Sequence, residues 1–350
     1  DPPGPGEHHP VVSLLNGAAL EGRPFSPTMS LNRVNRLARL AILPLMALTI
    51  AFAWRAQPRE VEATPPPAKG TLVVANLRAE SLTFIDLALD PPQARSLAVP
   101  GPAHELAVLG SHLYVTLGRA DRLVEVDPRA PGILRSVEFP EATPHGLAVA
   151  PGRLLVSLDT ANRVDELDAF TLATLGSWPT GDTPHAVAYA GGEIYVTDSR
   201  DGRLRLLGDA PRLADTSALP ESLAIVGNLA VTADADGRAL TVFERETLRQ
   251  LRHIDLGAAP VRVIPLDATR VLVSLSDTGE VAVVDVATGA IERRRAVGAR
   301  PDGLCLDPAG EYLAVVSNAD NRVDFFRVED WSPAGSLSTL DGPGSCIWLS

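Results

Sequence analysis

The chain has 350 residues, of which 45% are hydrophobic but only 5% aromatic, and its formal net charge is −12. That length holds one large or two ordinary domains around an aliphatic core. The acidic balance excludes a nucleic-acid or anionic-membrane surface, because both need clustered cations.

Along the chain, residues 1–28 are rich in Pro and Gly and precede the first methionine, Met29. They read as an extension upstream of the true start, and the His8–His9 pair inside them as tail rather than metal site. Residues 29–53 have the layout of a secretory signal peptide. Arg33, Arg36 and Arg39 form a basic region, Leu40–Ala53 is an uncharged apolar run, and "AFA" at Ala51–Ala53 offers small residues to a signal peptidase. The run is short for a membrane span of roughly 20 residues. An uncleaved anchor over residues 40–53 is the alternative, and the only membrane attachment the sequence offers. Residues 54–69 contain "EATPPPAKG", a Pro-rich linker. Export places the rest of the protein in the periplasm or outside the cell, where disulfides persist. The two cysteines, Cys305 and Cys346, fall on neighbouring repeat units but one register apart, so the sequence leaves a bridge open.

From residue 70 a repeat runs to the end. "HLYVTLGRADRLVEVDP" (from 112), "RLLVSLDTANRVDELDA" (from 153), "RVLVSLSDTGEVAVVDV" (from 270) and "YLAVVSNADNRVDFFRV" (from 312) are four of seven such units. They recur at roughly 35 to 42 residues, the length of a four-stranded propeller blade. Each unit is an apolar strand, a polar turn, a second strand, a weaker third strand, and then a strand that follows a proline. The turn pairs Asn162–Arg163, Asp201–Gly202, Asp236–Gly237, Thr278–Gly279 and Asn321–Arg322 carry the Asn, Asp and Gly that tolerate the positive φ of tight hairpins. The fourth unit departs from the pattern: "LLGDAPRLADTSALPE" shows no clear third strand. The first unit lacks the post-proline strand, and the last has one to spare, "SCIWLS" at Ser345–Ser350. Lending that strand to the first unit closes a ring and removes bare sheet edges. The expected fold is therefore all-β, a seven-bladed β-propeller over residues 70–350, closed by the C-terminal strand. We read it as a monomer.

"YVTL" (114–117), "YVTD" (195–198) and "VVDVATGAIERRRAVGARPDGLCLDPAGEYLAVVSN" resemble the YVTN-type repeat of exported seven-bladed propellers. The resemblance spans Gly70–Ser350. It implies the fold, but that family holds binding proteins, surface proteins and electron-transfer or enzyme subunits alike.

In a propeller the post-proline strand lines the central channel. Seven residues align near its start: His104, His145, His185, Glu221, Val261, Asp302 and Gly344. Three histidines on consecutive blades, with Glu221 and Asp302, form a donor set suited to a divalent transition metal: zinc, copper or iron. A wet channel mouth without a metal accounts for the same residues, since duplicated units share them. Glu221 and Asp302 also offer an acid/base pair, and Arg262 a contact for an anionic ligand. Arg122, Arg163, Arg203, Arg238 and Arg322 read as a solvated rim, and Asp86, Asp127, Asp168 and Asp285 as turn caps. Trp178, Trp331 and Trp348 read as core. No phosphate loop, G-x-S-x-G elbow or C-x-x-C-H motif occurs. A haem c would therefore sit on a partner. The pattern favours a non-enzymatic platform for a ligand or a periplasmic protein; a metal enzyme or redox-accessory subunit using the channel-mouth set is the alternative.

Overall fold

The computed structural model describes residues 69–349. The extension, signal and most of the linker lie outside them. Seven antiparallel four-stranded sheets make up the described part. We number them as blades 1–7 and their strands from the channel outwards. Blade 3 shows the plan: Pro144–Ala150 innermost, then Arg153–Leu158, Arg163–Asp168 and, outermost, Thr174–Pro179. The innermost strands of the seven blades each touch the next, from Ala103–Leu109 in blade 2 round to Pro343–Leu349 in blade 1. The ring is closed, and the fold is a seven-bladed β-propeller.

Closure works as the strand count requires. Blade 1 takes its innermost strand, Pro343–Leu349, from the C-terminal end and pairs it with Thr71–Asn76, with Thr71 opposite Leu349 and Val74 opposite Cys346. Trp348 completes the junction by donating its indole N–H to the Lys69 carbonyl at 2.8 Å.

The core is not one mass but seven slabs, one between each pair of blades. Ala224–Val286 residues fill the space between blades 5 and 6. Leu72, Ile85, Tyr312, Phe325 and Trp348 fill that between blades 7 and 1. The thinnest slab, around Leu155, Val164 and Val196, separates blades 3 and 4. This follows from the pattern of burial. Second strands such as Arg153–Leu158 are buried along almost their whole length, because both faces meet a neighbouring blade. Outermost strands such as Ala290–Ala296 are exposed along almost theirs. Short continuous apolar runs are what a strand covered on both faces requires. Trp331 and Trp348 are core residues, but Trp178 lies on an outermost strand and is only half-buried.

The blade turns use left-handed residues: Asn162, Gly202, Gly279 and Asn321 all have φ between 52° and 68°. In blade 5 the left-handed residue is Arg238, not Gly237. Gly237 serves close approach instead, since a Cβ there would lie 2.4 Å from Ser217 Cβ. Blade 4 does have its outer strands, Arg203–Leu206 and Arg212–Asp215, shortened to four residues each. The turn aspartates cap as expected, Asp127 accepting from Arg129 N–H and Asp168 from Phe170 N–H. The rim arginines pair locally, Arg163 with Asp165 and Arg203 with Asp215.

Cys305 and Cys346 are joined as a disulfide, with Cα atoms 6.0 Å apart. The offset of one register is taken up because the two innermost strands of blades 7 and 1 run side by side without being hydrogen-bonded partners. The bond encloses a separation of 41 residues, for which chain-entropy arguments give about 4 kcal/mol and experience about 2–4 kcal/mol. We expect the double variant Cys305→Ala/Cys346→Ala to lose that amount in urea unfolding, and wild-type protein to match it once reduced. Coincident urea curves for oxidised and reduced protein would rule this out.

Candidate functional site at the channel mouth

Every innermost strand starts with Pro or Ala, and all seven then gain one extra residue in a β-bulge. In blade 3, Pro144 pairs with Leu158 but the next pair is Leu147 with Val156, so His145 and Gly146 together face Ser157. A bulge breaks the strict alternation of side chains and re-aims one of them. Here it turns the aligned residues toward the channel.

Hydroxyls on the second strands hold the bulges in place and explain the recurring Thr and Ser of the repeat. Ser157 accepts from Gly146 N–H at 2.7 Å and donates to the His185 carbonyl at 2.7 Å. Thr116 accepts from Glu105 N–H at 3.0 Å and donates to the His145 carbonyl at 2.7 Å. Ser345, on the innermost strand of blade 1, does the same for the His104 carbonyl. Each histidine backbone is thus fastened by the blade before it. Gly146 permits this spacing: a Cβ there would lie 2.1 Å from the His185 carbonyl oxygen.

The three imidazoles come together. The ring centroids of His104 and His145 are 3.7 Å apart, as are those of His145 and His185, with the rings tilted by 51° and 41°. His145 is 9% exposed and its Nδ1 has no hydrogen-bond partner, nor has Nδ1 of His104. His185 Nδ1 lies 2.7 Å from the Glu221 carbonyl and its Nε2 lies 3.2 Å from Glu221 Oε2. Burial, reinforced by the neighbouring imidazoles, holds the His145 pKa well below its usual value. Burial and then His104 bring His185 down to about 4. Both rings are therefore neutral at pH 7.

Across the channel, Arg262 of blade 6 donates to Glu105 of blade 2 at 2.7 Å and lies 3.6 Å from Asp302 of blade 7. Arg262 is thus committed to two carboxylates, a different role from the anion contact expected of it. Burial pushes Glu105 up, but Arg262 and His104 outweigh burial and bring its pKa to about 2. Asp302 and Glu221 are raised, chiefly by burial. Asp159, in the short turn after the second strand of blade 3, is raised to about 7 by burial, with Glu221 adding to it.

Of the aligned residues, His104, His145, His185, Glu221 and Asp302 all gather at this mouth. Val261 and Gly344 bring no polar group. Glu105, Arg262 and Asp159 complete the site. Four carboxyl groups thus face one guanidinium and three imidazoles, of which those of His145 and His185 are neutral at pH 7. A cavity of about 190 Å³ opens among His145, His185, Glu221, Glu105 and Arg262. That is below the roughly 300–1,000 Å³ of pockets for drug-sized molecules. Among the described residues, no three His, Cys, Asp or Glu side chains already converge as metal ligands.

The fold is shared with many solved structures. A protein of unknown function from Desulfotomaculum acetoxidans DSM 771 superposes with a TM-score of 0.69 at 14% identity, over 80% of this chain and 99% of that one. Virginiamycin B lyase from Staphylococcus aureus gives 0.61 at 12% identity, over 69% and 87%. Apo AztD from Citrobacter koseri gives 0.61 at 15% identity, over 80% and 97%. At these identities the likeness is one of fold alone. The chain matches no family model and no curated protein.

Proposed function

We propose that the protein is an exported propeller of the YVTN-repeat type that acts without catalysis, as a receptor for a small ligand held at the channel mouth. The observation that carries this reading is the donor cluster around a small cavity lined by His145, with the buried atoms His145 Nδ1 and, in the turn after the second strand of blade 3, Asp159 Oδ1 left without hydrogen-bond partners. Buried polar atoms are normally satisfied, and a cluster of exceptions calls for a missing partner. The excess of carboxylates favours a cationic one. Export is supported by the basic-then-apolar pattern of residues 29–53 and by the Cys305–Cys346 disulfide, a bond that persists in oxidising compartments.

The test is a thermal-shift screen of the purified protein against small inorganic and organic cations. A ligand present at 100 times its Kd adds about 2.7 kcal/mol of stability. We expect such a ligand to raise the melting temperature of the wild type and to lose its effect in His145→Ala, while the unliganded melting temperature of that variant changes little. A screen with no shift, or a shift that survives His145→Ala, refutes the reading. N-terminal sequencing of secreted protein tests export separately.

A further inference from the structure

We propose that the protein has a second binding site, at the end of the blades away from the channel mouth, and that it takes a small organic anion: an apolar body ending in a carboxylate or phosphate group. The site is separate from the receptor site above and opposite to it in charge preference.

A cavity of about 510 Å³ opens on the seam between blades 1 and 2. That is within the roughly 300–1,000 Å³ of pockets for small organic molecules. Its position follows from the strands. Val108 and Leu349 lie at the far ends of the innermost strands Ala103–Leu109 and Pro343–Leu349, and Gly110 and Ser111 turn the chain after the first of them. His104 stands at the other end of that strand. At about 3.3 Å per residue, Gly110 is about 20 Å from it. Trp348, Val108 and Leu349 supply an apolar wall, and Thr71 and Ser111 supply hydroxyls.

The charge of the lining sets that of the ligand. Two arginines line the cavity from different blades. Arg95 is on the outermost strand of blade 1, Gln93–Ala98, and Arg129 is in the turn after the third strand of blade 2. Among the described residues no Asp or Glu side chain lines it, in a chain whose net charge is −12. Arg122 and Arg135 of blade 2 pair with Glu138 and Glu125, whereas Arg95 and Arg129 have no carboxylate partner among the described residues. Asp127, two residues before Arg129, is already occupied. It accepts from the Arg129 N–H at 2.9 Å and from the Ala130 N–H at 3.4 Å. Those bonds and the fixed φ of Pro128 set the turn, and with it the root of the Arg129 side chain. A guanidinium is a planar fork of donors that matches two oxygens of a carboxylate or phosphate. Two such forks beside an apolar wall select an oxyanion that carries an apolar body.

Calorimetric titration of the full-length protein with benzoate, phenyl phosphate, inorganic phosphate and uncharged benzyl alcohol is the test. We expect benzoate or phenyl phosphate to bind at one site per chain, and the tighter of them identifies the oxyanion group. Benzyl alcohol lacks the charge and inorganic phosphate the apolar body, so each should bind about tenfold more weakly or worse. Arg95 and Arg129 are exposed, so Arg95→Gln and Arg129→Gln keep the fold. Each should weaken the tighter anion about tenfold. Arg119→Gln, in the turn at the mouth end of blade 2, should not. His145→Ala should leave the anion bound, which keeps the fate of this site distinct from that of the mouth. Absence of binding by both aromatic anions overturns the inference, as does an affinity that survives both arginine replacements. Benzyl alcohol binding as tightly as the anions overturns the charge preference, and inorganic phosphate binding as tightly as phenyl phosphate overturns the role of the apolar wall.

Discussion

Deletion of residues 343–350 is expected to leave a chain with no cooperative unfolding transition. The lost strand pairs with Thr71–Asn76 along its whole length. It also supplies the wall that both blade 7 and blade 2 lean on. Trp348 is 8% exposed and meets Phe325 edge-on at 6.1 Å. Burying one large side chain contributes about 1.5–3 kcal/mol, and the lost disulfide adds about 2–4 kcal/mol. With the strand pairing included, the loss rivals the whole net stability of a folded protein, about 5–15 kcal/mol. Near-ultraviolet circular dichroism during a thermal ramp is the check. A truncated protein that still melts sharply within a few degrees of the wild type would show that closure contributes little.

Glu105→Ala is expected to destabilise by about 3 kcal/mol, the lower end of the cost of stripping one partner from a buried ion pair, because the Arg262 and Glu105 side chains stay 21% and 17% exposed. The cause is the guanidinium left behind. Arg262 would keep only Asp302, at 3.6 Å. The combination Glu105→Ala/Arg262→Met should recover most of the loss, because it removes the stranded charge as well. Urea unfolding of the two single variants and the double variant decides this. Strictly additive losses would mean that the pair is not coupled.

The architecture was legible because seven units repeat one alternation of apolar run, turn and post-proline strand, and because "SCIWLS" was left over to close the ring. Register then placed His104, His145 and His185 at one mouth, since a ring converts equal positions along the chain into neighbours in space. Glu105 was not legible. Next to His104 on an ideal strand its side chain belongs on the opposite face, and only the bulge between Ala103 and Leu106 lets both serve the site. Arg262 was noticed, but its partners come from blades 2 and 7, and no local pattern reports a contact across the channel. Asp159 sits in a turn that reads as polar linker; its burial comes from the fold around it. The outer strands of blade 4 were obscured by their shortness and exposure, which leave little apolar alternation to read.

The Cys305–Cys346 bond has a consequence for survival among proteases. It spans the point where the ring is sewn shut, and the chain between its ends makes up the rest of blade 7. A single cut in any turn of that stretch, such as the one at Asn321, severs the backbone but not the covalent loop. The closing strand stays tethered beside its place and re-pairs instead of diffusing away. Damage in blade 7 is thereby reduced to a local nick, whereas the same nick without the bond would release the strand on which the whole circle depends.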